Sequence, residues 1–65
     1  MKIRLNGQEK DISSTTLDGI INEFCKDVRH VIAEVNGDIV KSSRWSEQTI
    51  NEGDEVELVN IVGGG

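Results

Sequence analysis

The sequence has 65 residues, and 12 acidic against 7 basic side chains give it a net charge of −5. A chain of this length forms one small domain that hides only about 60% of its unfolded surface, which disfavours a deep catalytic cleft and a free-standing enzyme. The acidic balance and the scattered basic residues disfavour partners such as nucleic acid or an anionic membrane and favour a protein with a basic surface.

The N-terminal part of the chain predicts a β-hairpin followed by a helix. Residues 1–5 alternate apolar and basic side chains with the period of two that is typical of a half-buried strand. Asn6-Gly7 then gives a tight hairpin turn, because both residues tolerate positive φ angles, and residues 8–12 form the returning strand. After a polar break we predict a helix over residues 17–26. Its apolar stripe has helical spacing and consists of Leu17, Ile20, Ile21, Phe24 and Val28.

A second hairpin is predicted after the helix. Residues 31–35 are rich in β-branched side chains, which favours a strand. Asn36-Gly37 repeats the turn signal of the first hairpin, and residues 39–40 form a short return.

An irregular connector and one more strand complete the predicted domain. Residues 41–51 have no clear period, and we expect them to wrap around the sheet edge with Trp45 and Ile50 as anchors. A turn at 52–54 leads into residues 55–60, which begin with strict alternation of acidic and apolar side chains and predict the last strand.

This order of elements predicts a two-layer α+β domain with one helix packed on one face of a mixed sheet of four to five strands. The helical crossing allows the last strand to run parallel to the first and beside it. That arrangement is the β-grasp or ubiquitin-like fold, which we predict for residues 1–60, with 61–65 as a flexible Gly-rich tail. The apolar side chains expected on the covered face are Ile3, Leu5, Val31, Ala33, Val35, Val56 and Leu58.

The tail residues Gly63, Gly64 and Gly65 are the feature that suggests chemistry. Glycine has no Cβ and loses the most backbone entropy when ordered, so this segment is thin enough for a narrow channel in another protein. Five residues after Asn60 span about 17 Å, enough to bring a terminal carboxylate into a partner's active site. The carboxylate is anionic at neutral pH and reacts only after activation, commonly by adenylation with ATP. Sulfur can then replace AMP to give a thiocarboxylate; the alternative is a frayed end without function.

Other side chains with chemical potential are predicted to have structural roles. Cys25 lies on the flank of the helical stripe, where a small thiol packs in the core. His30 is predicted to lie on the surface, since no Ser or Cys at a telling spacing points to catalysis. Trp45 is predicted to anchor the connector, and its alternative role is docking a partner, because Trp is enriched in binding hot spots.

No bound metal, cofactor or membrane anchor is predicted. One cysteine and one histidine exclude an internal disulfide and give no spacing typical of a zinc site. The apolar runs fall short of the roughly 18–20 residues that a membrane span needs, and the N-terminus lacks the apolar stretch of a signal peptide. We therefore expect a cytoplasmic protein.

Several features taken together match a known family: the hairpin over 35–40 with Trp45 after it, the Gly53-Asp54 turn before the alternating strand, and the glycines at 63–65. They resemble the ThiS family, the sulfur carriers of thiamine thiazole biosynthesis, and the resemblance extends over the whole chain. One departure is residues 41–44, where ThiS chains often have a proline and a basic residue and this chain has Lys-Ser-Ser-Arg.

The resemblance implies a carrier protein and co-substrate of partner enzymes, without catalytic residues of its own. A ubiquitin-activating-type enzyme (ThiF in this pathway) would consume ATP to adenylate Gly65. A desulfurase or rhodanese-like protein would supply sulfur as a persulfide, and the thiocarboxylate would deliver it to thiazole synthase, ThiG. Gly63 and Gly64 would thread the tail into partner active sites, and Ile61 and Val62 would seat it on the activating enzyme.

Three other functions stay open at this point. A MoaD-like small subunit of molybdopterin synthase shares the fold and the Gly-Gly end. A ubiquitin-like protein modifier would form isopeptide bonds with lysines of other proteins. A β-grasp interaction module would bind partners through its surface and would not use the tail.

Overall fold

A computed structural model describes residues 1–25 and 27–60, apart from the side chain of Val28. The predicted tail, residues 61–65, therefore lies outside the described residues, as does Lys26 at the predicted end of the helix. Two short 3-10 helices, Val28–His30 and Ser42–Arg44, occur besides the main elements. The main elements in chain order are β1 (Lys2–Leu5), β2 (Gln8–Asp11), α1 (Leu17–Phe24), β3 (Val31–Val35), β4 (Asp38–Val40) and β5 (Glu55–Asn60).

The strands form one five-stranded mixed sheet with the order β2-β1-β5-β3-β4. The two hairpins pair antiparallel, β1 with β2 and β3 with β4, and β5 also pairs antiparallel with β3. Strands β1 and β5 run parallel, with Arg4 opposite Glu55 and Leu5 opposite Val56. This topology, with a single helix on one face, confirms the predicted β-grasp fold.

Both predicted hairpin turns are present. Asn6 and Gly7 have φ angles of 51° and 81°, and Asn36 and Gly37 have φ angles of 51° and 90°. Positive φ at both central residues defines a type I′ turn, whose twist matches that of the strands it joins. The two Asn-Gly turns therefore fix the register of both hairpins, as expected.

The core lies between the helix and one face of the sheet. The predicted strand positions are buried there, except that Val31 at the start of β3 is half-buried. The buried apolar residues are Ile3, Leu5, Ile12, Leu17, Ile20, Ile21, Ala33, Val35, Trp45, Ile50, Val56 and Leu58.

The helix is shorter than predicted and buries a smaller stripe. It has 8 residues, about two turns, and ends at Phe24 because the chain becomes extended at Cys25 (φ −122°, ψ 131°). Phe24 is 41% exposed, so its predicted burial is wrong. Val28 belongs to the separate 3-10 helix, so its predicted place on the helical stripe is also wrong. The chain leaves the helix early because β3 must begin at Val31, after a short capped turn.

The connector after β4 anchors itself in the core and caps the helix. Trp45 is 8% exposed and Ile50 only 2%, which confirms both predicted anchors. The indole Nε1–H of Trp45 donates to the carbonyl of Val40 at 2.9 Å. The helix N-terminus has N–H groups without helical partners, and the connector carbonyls of Gln48 and Trp45 accept from the N–H groups of Leu17 and Asp18 at 3.0 and 3.2 Å.

We expect Trp45→Phe to lower the free energy of unfolding by about 1–2 kcal/mol, because phenylalanine keeps an aromatic ring but loses the hydrogen bond to Val40 and part of the packed volume. Urea denaturation followed by far-UV circular dichroism measures this loss, since the variant has no tryptophan fluorescence. An unchanged midpoint would show that the indole N–H contributes nothing to the anchoring of the connector.

Gly19 allows the polar break before the helix to pack closely against it. A Cβ atom at position 19 would lie 2.8 Å from Ser14 Oγ and 2.9 Å from Ser14 Cβ. Because Ser14 Cβ is attached directly to the backbone, it cannot move away as a flexible side-chain end can. Glycine has a low helix propensity, but the close approach of Ser14 requires it at position 19.

We expect Gly19→Ala to destabilise the protein by about 1 kcal/mol net, because the overpacking exceeds the gain in helix propensity. The double variant Ser14→Gly with Gly19→Ala relieves the contact and should recover most of that loss. Chemical denaturation of the two variants and the wild type makes the comparison. A single variant more stable than the wild type would contradict the packing explanation.

Candidate functional site

The base of the predicted tail is strand β5, which lies in the centre of the sheet between β1 and β3. Its last two residues, Val59 and Asn60, pair with Ile32 and Val31 of β3. On the opposite edge, where β1 has ended, the side chain of Asn6 accepts a hydrogen bond from the N–H of Leu58 at 2.8 Å. The point from which the chain continues into residue 61 is thus set by the core sheet.

The residues predicted to carry and deliver sulfur lie outside the described residues. This applies to Gly65 as the carrying group, to Gly63 and Gly64 as the threading segment, and to Ile61 and Val62 as the seating residues. Their roles stay predictions, and the structure contributes the position of Asn60 immediately before them.

Trp45, the remaining predicted docking residue, is part of the core. Its 8% exposure and its bond to the Val40 carbonyl leave little surface for a partner. The docking role of Trp45 stays a prediction, with the anchoring role established by the contacts above.

Cys25 and His30 have surroundings that fit the structural roles predicted for them. Cys25 is partly buried against the core, and burial raises the pKa of its thiol, which disfavours the nucleophilic thiolate. The His30 ring is on the surface, with Nδ1 at 3.1 Å from Asp27 Oδ2. Within residues 1–25 and 27–60, no group of side chains has the arrangement of a metal site.

Asp27 organises a small polar cluster that the sequence interpretation missed. Its Oδ1 accepts from the backbone N–H and the Nε–H of Arg29 at 3.1 and 3.2 Å, and its Oδ2 faces His30. The side-chain hydrogen bonds from Arg29, then from His30, and the backbone bond of Arg29 lower the pKa of Asp27 to about 2. The sequence signal that could have revealed this cluster is the position of Asp27 two residues before Arg29. At that spacing an Asp side chain can accept a hydrogen bond from the backbone N–H, as in an Asx turn.

We expect the carboxyl of Asp27 to titrate near pH 2 in an NMR titration, below its ordinary value of 3.8. Because folding lowers this pKa, the stabilising effect is complete above the unfolded value and is lost as pH falls through the folded value. The stability advantage of the wild type over Asp27→Asn should therefore shrink between about pH 4 and pH 2.

Arg29→Gln serves as the control for this titration, since it removes the main donor and should return the pKa of Asp27 toward its ordinary value. A wild-type midpoint near 3.8 would contradict the cluster.

The face of the sheet opposite the helix is a second feature missed from the sequence. Ile32 of β3, Ile39 of β4 and Val59 of β5 are 38%, 70% and 49% exposed. Ile32 and Val59 are cross-strand partners, and both lie beside the last residues of β5. The alternation pattern assigned them to strands and left open what covers them.

The fold and the Gly-rich sequence after β5 define a ubiquitin-like protein of the β-grasp class. The model of the ThiS family matches residues 3–65, and the chain belongs to this family. No helix in the described part of the chain is long and apolar enough to cross a membrane.

Solved structures share the fold over the full chain. The crystal structure of the thiamine biosynthesis protein ThiS from Geobacter metallireducens superposes with a TM-score of 0.85 at 22% identity and covers 100% of both chains. A solution NMR structure of a thiamine biosynthesis protein from the same organism gives a TM-score of 0.80 at 22% identity and covers 100% of this chain and 88% of the other.

Two curated relatives are similar in sequence. A thiazole synthase of Paramagnetospirillum magneticum is 38% identical over 66 residues, which cover 100% of this chain and 20% of that protein. The chain thus corresponds to about one fifth of this relative. The protein ycf40 of Trieres chinensis, itself uncharacterised, is 34% identical over 62 residues, which cover 94% of this chain and 85% of the relative.

Proposed function

We propose that this protein carries sulfur as a thiocarboxylate on the carboxyl group of Gly65 and donates it for synthesis of the thiamine thiazole. The observation that carries the proposal is the ThiS family match, which runs through residue 65 and so includes all three glycines. Support also comes from the position of β5, which presents the tail from a fixed point in the sheet.

The chemistry requires activation, because a carboxylate is a poor acyl donor. An adenylating enzyme of the ThiF type would join the Gly65 carboxylate to AMP from ATP and release pyrophosphate. The terminal sulfur of a cysteine persulfide would then attack the acyl carbon and expel AMP. Cleavage of the remaining S–S bond by a thiol would leave the thiocarboxylate on Gly65 and a disulfide on the donor side.

This protein's own residues contribute presentation rather than proton transfer. The thin tail admits the acyl carbon to a partner's active site, and the domain supplies the surface by which that partner recognises it. ATP is a substrate of the partner and is not held here. We propose a desulfurase or rhodanese-like protein as the persulfide donor.

A thiazole synthase of the ThiG type is the proposed sulfur acceptor. The thiazole synthase of Paramagnetospirillum magneticum contains a stretch that is 38% identical to this chain over its whole length. This stretch supports a functional link between this protein and a thiazole synthase. The ThiS match also favours the thiamine pathway over the molybdopterin alternative.

Intact-protein mass spectrometry tests the carrier chemistry directly. We expect the purified protein, incubated with ATP and the adenylating enzyme of its own organism, to gain one AMP. Addition of a persulfide-loaded desulfurase and a thiol should replace the AMP by one sulfur in place of one oxygen. Fragmentation should locate both changes at Gly65, because only this carboxyl lies at the end of the glycine segment.

Deletion of Gly64-Gly65 provides the control and should abolish both mass changes while leaving the circular dichroism spectrum unchanged. The mass of the protein isolated from its own cells shows whether Gly65 is the last residue there. An unmodified wild type with each adenylating enzyme of the organism, or attachment to lysines of other proteins, would contradict the proposal.

A further inference from the structure

The turn residue Asn36 of the second hairpin also pairs with the first residue of β5. Its backbone N–H donates to the Glu55 carbonyl at 2.7 Å, and the Glu55 N–H donates to Asn36 Oδ1 at 2.9 Å. In a regular antiparallel pair both N–H groups donate to backbone carbonyls. The side-chain amide of Asn36 therefore takes the place of a backbone carbonyl and extends the ladder between β3 and β5 by one residue.

The nitrogen of the same amide connects the hairpin to the turn before β5. Asn36 Nδ2 donates to Asp54 Oδ1 at 3.1 Å, and Asp54 Oδ2 accepts from the backbone N–H of Asn51 at 2.8 Å. One carboxylate thus joins the turn over 51–54 to the second hairpin. We define the Asn36 bridge as the hydrogen bonds of Asn36 to Asp54 and Glu55.

Asparagine followed by glycine is also a chemically labile pair, and asparagine is among the thermolabile residues. The backbone nitrogen of the glycine attacks the asparagine Cγ, loses its proton and expels ammonia, which leaves a cyclic succinimide. Water then opens one of the two C–N bonds of the ring and gives aspartate or isoaspartate. The sequence contains this pair at Asn6-Gly7 and at Asn36-Gly37, and both asparagines are exposed to solvent.

We propose that Asn36 is a site of spontaneous deamidation that the pairing of β5 suppresses, and that conversion there prevents this pairing from forming again. The Asn36 bridge holds the amide at both ends, by its oxygen to Glu55 and by its nitrogen to Asp54. Attack by the Gly37 nitrogen requires this amide to rotate, which breaks both bonds. When β5 leaves the sheet, both partners leave with it, and Asn36 reacts as in an unfolded chain.

Both products of deamidation disrupt the bridge. An aspartate at position 36 keeps an oxygen for the Glu55 N–H, but it loses the Nδ2 donor and turns a second carboxylate toward Asp54. Like charges at such a distance disfavour each other. Isoaspartate places an extra methylene in the backbone of a two-residue turn, and the geometry of that turn sets the register of the hairpin.

Asn6 offers a matched comparison in the same chain. Its N–H donates to the Val56 carbonyl at 2.9 Å and its Oδ1 accepts from the Leu58 N–H at 2.8 Å, so it extends the ladder between β1 and β5 in the same way. In the described part of the chain, the partners of Asn6 in these bonds are backbone groups of β5 and no carboxylate is among them. An aspartate at position 6 therefore keeps its acceptor and meets no second carboxylate there.

Peptide mapping by mass spectrometry measures the deamidation rate of the full chain at Asn36, in buffer and in urea at the same neutral pH. We expect Asn36 to react at least about tenfold more slowly in the folded chain, because two hydrogen bonds must break before the attack. A synthetic peptide of residues 33–40 gives the rate without a fold in both solutions. Equal rates at Asn36 in the folded chain and in the peptide would overturn the proposal.

The variant Asn36→Asp imitates the aspartate product. We expect it to lower the equilibrium constant of folding roughly tenfold in urea denaturation, and we expect Asn6→Asp to lower it much less. The double variant Asn36→Asp with Asp54→Asn exchanges the carboxylate and the amide and should recover most of the loss. Equal losses in the two single variants, or no recovery in the double variant, would overturn the role assigned to the contact with Asp54.

Refolding of aged chains tests the second half of the proposal. Chains converted in urea are separated by chromatography, assigned by peptide mapping and diluted into buffer. Those with isoaspartate at position 36 should fail to regain the circular dichroism spectrum of the wild type. Chains held in urea at mildly acidic pH, where deamidation is slow, should regain it fully. A converted chain with the urea midpoint of the wild type would overturn this half.

The outcome is separate from that of the carrier chemistry, because Asn36, Asp54 and Glu55 all lie outside residues 61–65. A protein that accepts no AMP at Gly65 would still show or lack the protection of Asn36.

Discussion

The two hairpins do not pair with each other in the described structure, and strand β5 joins them into one sheet. It pairs with β1 on one side and β3 on the other, and its inward side chain Val56 is completely buried. An isolated two-stranded hairpin is marginally stable at best in water, so the sheet depends on the arrival of this last strand. The same pairing sets the position of Asn60, the last described residue before the tail sequence.

The helix depends on contacts from distant parts of the chain, because two turns are too short to be stable alone. Leu17, Ile20 and Ile21 are completely buried against the sheet. The connector supplies carbonyl groups to the helix N-terminus and inserts Trp45 and Ile50 beside it. The irregular connector is thus part of the core of this small domain, and it secures the edge strand β4 through the Trp45 indole.

The two faces of the sheet have different surroundings. The apolar side chains of the inner face pack against the helix, and no polar or charged residue is buried among the described residues. The outer face keeps apolar and acidic side chains in contact with solvent beside the end of β5. In the proposed carrier function, a partner enzyme would supply the catalytic groups, and this domain would supply recognition and an acyl end.

The sequence by itself determined the strands, both hairpin turns, most of the core and the family, because these depend on short-range periodicity, on Asn-Gly pairs and on a characteristic set of segments. The tertiary structure decided where the helix ends, since the start of β3 draws the chain away after Phe24. It also decided that Ser14 packs on Gly19 and that Glu34 faces Glu57. The contact of Ser14 with Gly19 depends on the path of the loop before the helix. The pairing of Glu34 with Glu57 depends on strand register between residues 23 positions apart in the sequence, and no local pattern encodes that register.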